Sequence, residues 1–265
     1  MFLSVFLFAS WALIAQPVKT SNGIIISSDG KSIELSVVAN AAFCLSFSTS
    51  GNPVEIKSIF LDENKDNSKN QFSIVSQKSV IGIKTDFGKL LFDTQKQTWT
   101  LSNVKGKVLI SNATFSFGDS IQKINYSFPQ KSLFYGSGNF STKNLLKSQS
   151  AGKQGNGTAD VPYFWSNVGF CSLGISGNDN HPATWKAVEN SSVEWTFSGK
   201  TGNLYLWPAS NLYEATNNLI AITGKAKIPP RWAFGFLQSQ WGWADRAYIE
   251  NAIDNFRSRK LPVDA

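Results

Sequence analysis

From Gly23 to about Phe128 apolar residues recur at every second position, in runs too short for anything but strands. The runs cover 23–27, 32–38, 54–60, 72–75, 80–84, 90–92 and 98–101. Turn-forming Gly, Asn, Asp, Ser and Pro separate them, as at 50–53 and 62–67. Successive strand side chains point to opposite faces, so strict alternation gives one face to a core and the other to water. Parallel strands covered on both faces read instead as continuous apolar runs. Many short alternating strands with frequent turns therefore predict an antiparallel β-sandwich. Further strand signals stand at 168–176, 183–188, 193–197 and 204–207. One helix is expected over 211–223, where Asn211 and Glu214 form a capping pair and Gly224 can close the last turn.

The last forty residues break this pattern. Pro229 and Pro230 fix φ and remove two backbone donors, so neither a helix nor a central strand runs through them. Residues 232–237, WAFGFL, form a short continuous apolar run, as expected of a strand buried on both faces. Asp245 is a good N-cap, and Ile249, Ala252, Ile253 and Phe256 then repeat at helical spacing. Another extended segment starts at Leu261. Strand, helix, strand is a βα unit heading for a parallel sheet. The expected organisation is a sandwich over 20–227 and a second domain beginning at 228 and running to 265.

A chain of 265 residues with 42% hydrophobic composition can bury the core of one or two such domains. The net charge of +7 comes from lysines scattered among acids rather than from a basic block, so no nucleic-acid partner is expected. Residues 1–18 carry no charged side chain, and 2–15 are largely apolar with small residues at Ala9, Ser10, Ala12 and Ala15. This reads as a secretory signal peptide, 1–15, cleaved after Ala15. It is shorter than the ~20 residues of a membrane span. The protein is expected to be secreted or lumenal, with no membrane span once the signal is removed.

Cys44 and Cys171 sit in apolar runs and leave two readings open, a disulfide across two sheets or two buried thiols. His181 is the only histidine, and no Cys/His ligand spacing accompanies it, so no metal and no cofactor are expected. No nucleophile-elbow pattern goes with it either. Five N-x-S/T sequons, at Asn112, Asn125, Asn139, Asn156 and Asn190, permit glycosylation without arguing for it.

The tail carries a resemblance. PPRWAFGF at 229–236, then Gln238-x-x-Trp241-Gly242-Trp243, a helix, and Leu261-Pro-Val-Asp264 resemble the opening of the catalytic (β/α)8 barrel of glycoside hydrolase family 31. Weaker matches precede it. Leu133-Phe-Tyr135-Gly-Ser-Gly138 resembles a Y-G-x-G-E motif of the family's amino-terminal domain, with Asn139 where the family usually has Glu. Gly155–Thr158 followed by Val161-Pro-Tyr-Phe-Trp165, and Leu204-Tyr-Leu-Trp207-Pro, resemble further pieces of it. The resemblance implies a galactose-mutarotase-like sandwich followed by the first strand and helix of an incomplete barrel. It also implies an enzyme acting on α-glucosides by a retaining mechanism with two aspartates. Those aspartates lie on later barrel strands, so no catalytic residue is expected in this chain. A barrel takes about 250 residues, and the chain is expected to be a truncated, inactive piece. The alternatives are a non-catalytic carbohydrate-binding sandwich, or the family's α-glucosyltransferase activity.

The substrate-binding candidates follow from the same resemblance. Trp241 corresponds to an aromatic lining the sugar pocket, where its face would cover the apolar face of a pyranose; the competing reading is packing. Trp243 is read as packing. Gln238 is a candidate hydrogen-bond partner for a sugar hydroxyl. Asn156, Thr158 and Asp160 are candidates on a sandwich loop that reaches over the barrel mouth in the family, with plain turn chemistry as the alternative. Asp264 matches an aspartate inside the family's second barrel strand and is read as structural.

Overall fold

The computed structural model describes residues 17–51, 56, 58, 61, 62, 70–128, 132–139, 159–177, 183–188, 192–239 and 241–265. The expected signal peptide, Asn156, Thr158 and His181 lie outside them. Two compact units emerge, one ending at Gly224 and the other running from Lys225 to Ala265.

The first unit is a sandwich of two antiparallel sheets. Its early strands are β1 (Val18–Lys19), β2 (Gly23–Ser28), β3 (Lys31–Val38), β4 (Ala42–Ser48), β5 (Ser73–Gln77), β6 (Val80–Lys84), β7 (Gly88–Asp93) and β8 (Thr98–Asn103). Its later strands are β9 (Val108–Phe117), β10 (Ile121–Ser127), β11 (Phe134–Asn139), β12 (Ala159–Ser166), β13 (Phe170–Ser176), β14 (Thr184–Val188), β15 (Ser192–Ser198) and β16 (Thr201–Pro208). One sheet runs β1-β2-β3-β4-β16-β13-β12-β11 and the other β14-β15-β10-β9-β8-β7-β6-β5. The run at 54–60 falls largely outside the described residues, and Ile56 and Ser58 in it carry no strand.

The alternation read from the sequence holds best in the second sheet. In β7, Gly88, Leu90 and Phe92 are buried while Lys89, Leu91 and Asp93 are half-exposed; β15 alternates in the same way. Their inward residues meet Leu35, Leu45, Phe47, Leu204 and Leu206 of the first sheet in one core. β13 is buried along its whole length, because its sheet is covered on the other side too. There Cys171, Leu173, Ile175, Tyr205 and Trp207 pack with Ala215 and Ile222 of α1 (Leu212–Thr223). A buried polar chain crosses the core: Trp195 Nε1 donates to the Tyr126 hydroxyl (3.1 Å), which donates to Ser172 Oγ on the opposite sheet (3.0 Å). Burial pushes the Tyr126 pKa up, which keeps it a donor.

Asn211 caps α1 by accepting from the Glu214 N–H (3.0 Å). The return contact goes one residue further back than expected, with Glu214 Oε2 accepting from both N and Oγ of Ser210 at 2.7 Å. The cross-sheet disulfide reading is corrected. Cys44 on β4 lies opposite Tyr205 and Cys171 on β13 opposite Trp207, so both flank β16 within one sheet and remain thiols. Strands two apart stand about 9–10 Å from each other, beyond the ~7 Å reach of a disulfide.

In the second unit the expected strand over 232–237 takes a different form. Arg231–Phe234 is a 3-10 turn, and Trp232 and Phe234 are 54% and 70% exposed. A strand buried on both faces needs neighbours on both sides, and here only residues 236–238 find one. Asp264 N donates to Phe236 O (2.9 Å) and Gln238 N donates to Ala265 O (2.8 Å). Residue numbers rise together on both sides, so this short pairing is parallel. α2 (Arg246–Ser258) starts as expected, with Asp245 accepting from the Tyr248 N–H (2.8 Å).

Candidate functional site

The scattered pieces at 133–138, 161–166 and 204–208 come together in one sheet, on β11, β12 and, across β13, β16. Tyr135 of β11 pairs with Trp165 of β12, their rings 5.2 Å apart. Trp165 Nε1 donates to Ala209 O (3.1 Å), just past β16. Tyr163 stacks on Trp207 at 5.9 Å and donates to Cys171 Sγ (3.7 Å). Gly136 has φ 106°, and a Cβ there would stand 3.0 Å from Cδ1 and Cε1 of the Tyr163 ring. The Tyr-Gly step is thus fitted to the aromatic ring beside it. A glycine interrupting a strand pattern is the signal that points to such a close approach.

Asp160 lies on β12, its backbone opposite Gly138, with Asn139 opposite Ala159. The structure therefore joins Asp160 to the Y-G-x-G turn. Gln238, Trp241 and Trp243 belong to the other unit. Trp241 is 102% exposed, which sets aside a packing role within its own unit. Trp243 does pack, edge-on to Tyr248 at 5.5 Å. Gln238 and Trp243, with Ile249, Ile253, Phe256 and Val263, line an apolar groove of about 270 Å³ that Trp241 does not enter.

Asp264, read from the sequence as structural, has partners that the sequence did not specify. Its Oδ2 accepts from the Phe236 N–H (3.0 Å), and a Cβ on Gly235 would meet that oxygen at 1.9 Å. The bare Gly235 is what lets the carboxylate clasp the two paired segments.

The perturbed carboxyls do not make an acid/base pair. Burial pushes Glu34 up, but its partner is the Thr20 hydroxyl (3.3 Å). Lys186 first, then Lys123, hold Glu194 below its usual range on the surface of the second sheet. A hollow of about 570 Å³ at one end of the sandwich includes Asp86 and Glu214. There the Glu214 carboxylate is committed to Ser210, which lowers its pKa. Among the described residues no group of three or more His, Cys, Asp or Glu is arranged to hold a metal ion. No helix among them is long and apolar enough to cross a membrane.

Residues 226–265 match the family model of the glycosyl hydrolases family 31 TIM-barrel domain. The chain resembles glycoside hydrolase family 31. The likeness reaches well beyond that segment. An α-xylosidase of Saccharolobus solfataricus is 25% identical over 111 residues, 42% of this chain and 15% of its own length. Alpha-xylosidase 1 of Arabidopsis thaliana is 22% identical over 219 residues, 71% of this chain and 23% of its own. The crystal structure of a family 31 α-xylosidase from a soil metagenome, complexed with xylose, superposes with a TM-score of 0.79 at 14% identity. It covers 94% of this chain and 40% of that one, a likeness of fold. This chain thus spans less than a quarter of the length of either named relative.

Proposed function

We propose that this chain is the sandwich and barrel-opening portion of a secreted α-glycoside-processing enzyme that hydrolyses α-glucosides or α-xylosides with retention. The observation that carries the proposal is the match at 226–265, continuous with a sandwich of the same family's fold. Retention needs two carboxyl groups about 5–5.5 Å apart. Glu34, Glu194 and Glu214 are each engaged by non-acidic partners. In this proposal the two carboxylates come from the large part of the relatives' length that has no counterpart here. Trp241, exposed after the 236–238 segment, supplies a stacking wall for the sugar, and Gln238 a hydrogen-bonding group.

The test uses the protein purified from its native source and the 265-residue chain side by side, on p-nitrophenyl α-glucoside and α-xyloside. The native protein is expected to release the sugar with its anomeric configuration kept, read by proton NMR, while the 265-residue chain stays at background. Turnover by the 265-residue chain that disappears on mutating one of its own acids would place the chemistry here instead. Release of the inverted anomer would remove the retaining mechanism.

A further inference from the structure

We propose that Asn112 is an N-glycosylation site, taking an oligosaccharide on the outer face of the second sheet. The inference rests on the secretory routing read from residues 1–15. Of the five sequons, Asn156 and Asn190 lie outside the described residues, and Asn139 ends β11 beside an undescribed stretch. Asn125 pairs with Glu194 in an unbroken ladder on one side and with Thr114 at the edge of a register slip on the other, and is only half-exposed.

Asn112 is differently placed. On β9, Ile110 pairs with Leu101 and Ala113 with Trp99, so two residues of β9 face the single Thr100 of β8. Towards β10 the register slips as well, with Thr114 on Asn125 and Ser111 on Ser127. This is a β-bulge, which leaves its extra residue out of the regular ladder. Asn112 has φ 51°, a left-handed conformation that Asn adopts more readily than most residues. Ala113 is 2% exposed and points into the core, while Asn112 and Thr114 on either side of it are exposed. The two side chains that define an N-x-T acceptor therefore both face water, on a part of the sheet that ends no core contact by carrying a glycan.

The chemistry closes without a redox partner. The Asn112 amide nitrogen attacks the anomeric carbon of a lipid-diphosphate-linked oligosaccharide. The N–C bond forms, the C–O bond to the diphosphate breaks, and the amide proton leaves as the lipid diphosphate departs.

The test expresses the 265-residue chain in eukaryotic secretory cells, once with its own residues 1–15 and once with a proven signal peptide in their place. Chain from the secretory lumen is treated with an amidase that converts a glycosylated Asn to Asp, and the peptide covering 108–117 is read by mass spectrometry. The expected result is conversion at Asn112, with one glycan's worth of gel mobility lost in both Asn112→Gln and Thr114→Ala and kept in Thr114→Ser. The Thr114 pair guards against misfolding of the bulge variant. Unmodified Asn112 in chain carried into the lumen by the borrowed signal would overturn the proposal. Modification with the borrowed signal but not with residues 1–15 would support the site and overturn the routing reading alone.

Discussion

The sandwich and the 225–265 unit are built from the same kinds of residue and use them in opposite ways. Trp99, Trp195 and Trp207 of the sandwich are buried, whereas Trp232 and Trp241 of the second unit stand in water. Both α1 and α2 carry an apolar stripe and a side-chain N-cap. Yet α1 buries Ala215 and Ile222 against a sheet, while α2 has no fully buried residue and leaves Ala252, Ile253 and Phe256 half-buried. Capping and helical periodicity are local, so both helices form on schedule. Burial needs a second surface, and among the described residues the sandwich supplies one to α1.

The comparison breaks most visibly at Trp195, which packs against Phe164, Trp185 and Phe197. Trp195→Ala should cost roughly 3–5 kcal/mol, read as a lower urea midpoint by circular dichroism. Phe256→Ala in the second unit should leave that midpoint within about 0.5 kcal/mol. An equal effect of the two would erase the contrast.

Overpacking gives the next effect. A Cβ on Gly174 would stand 2.4 Å from Cζ3 of Trp195, a ring that cannot retreat in a filled core. Gly174→Ala should destabilise by about 1–3 kcal/mol. Gly235→Ala, clashing with Asp264, should speed exchange of the Phe236 amide while the sandwich midpoint stays put. Adding Asp264→Ala should relieve the clash without restoring amide protection, since the accepting oxygen is gone.

Smaller again is Glu194, bridged by Lys186 (2.8 Å) and Lys123 (3.3 Å). Its folded pKa lies below the unfolded value. Its stabilisation is therefore present above the ordinary Glu value and lost as pH falls through the lowered one. Glu194→Gln should cost about 0–1 kcal/mol at neutral pH. The gap to wild type should close in acid and narrow in high salt; a gap that widens in acid would contradict the sign. Trp241→Ala should shift the melt of this chain least, by under about 0.5 kcal/mol. A sharp drop would return Trp241 to a core.

These effects follow what a sequence can carry. Alternation in 80–84, 90–92 and 98–101 located strands, because side-chain period is a property of the strand alone. Which strands pair was not legible. β4 meets β16 and β10 meets β15 across long stretches of chain, and only packing decides such contacts. β9 and β10 lay inside the alternating region without being singled out, since the extra residue at Asn112 breaks the period of β9. The strand expected over 232–237 failed for a related reason. An apolar run gives the capacity for burial, and the described residues of this unit do not cover it on both faces. Of the candidate site residues, Trp241 and Asp160 were singled out only through the resemblance; the Gly235–Asp264 clasp gave no sequence signal beyond a glycine in an apolar run.

Native-state hydrogen exchange of the 265-residue chain tests the central contrast most directly. Amides of β13 and β16 should exchange only through global unfolding, with a steep dependence on denaturant. Amides of α2 should exchange far faster and almost independently of denaturant, through local opening. Equal protection of α2 and β13, with the same denaturant dependence, would show one cooperative structure and contradict the account.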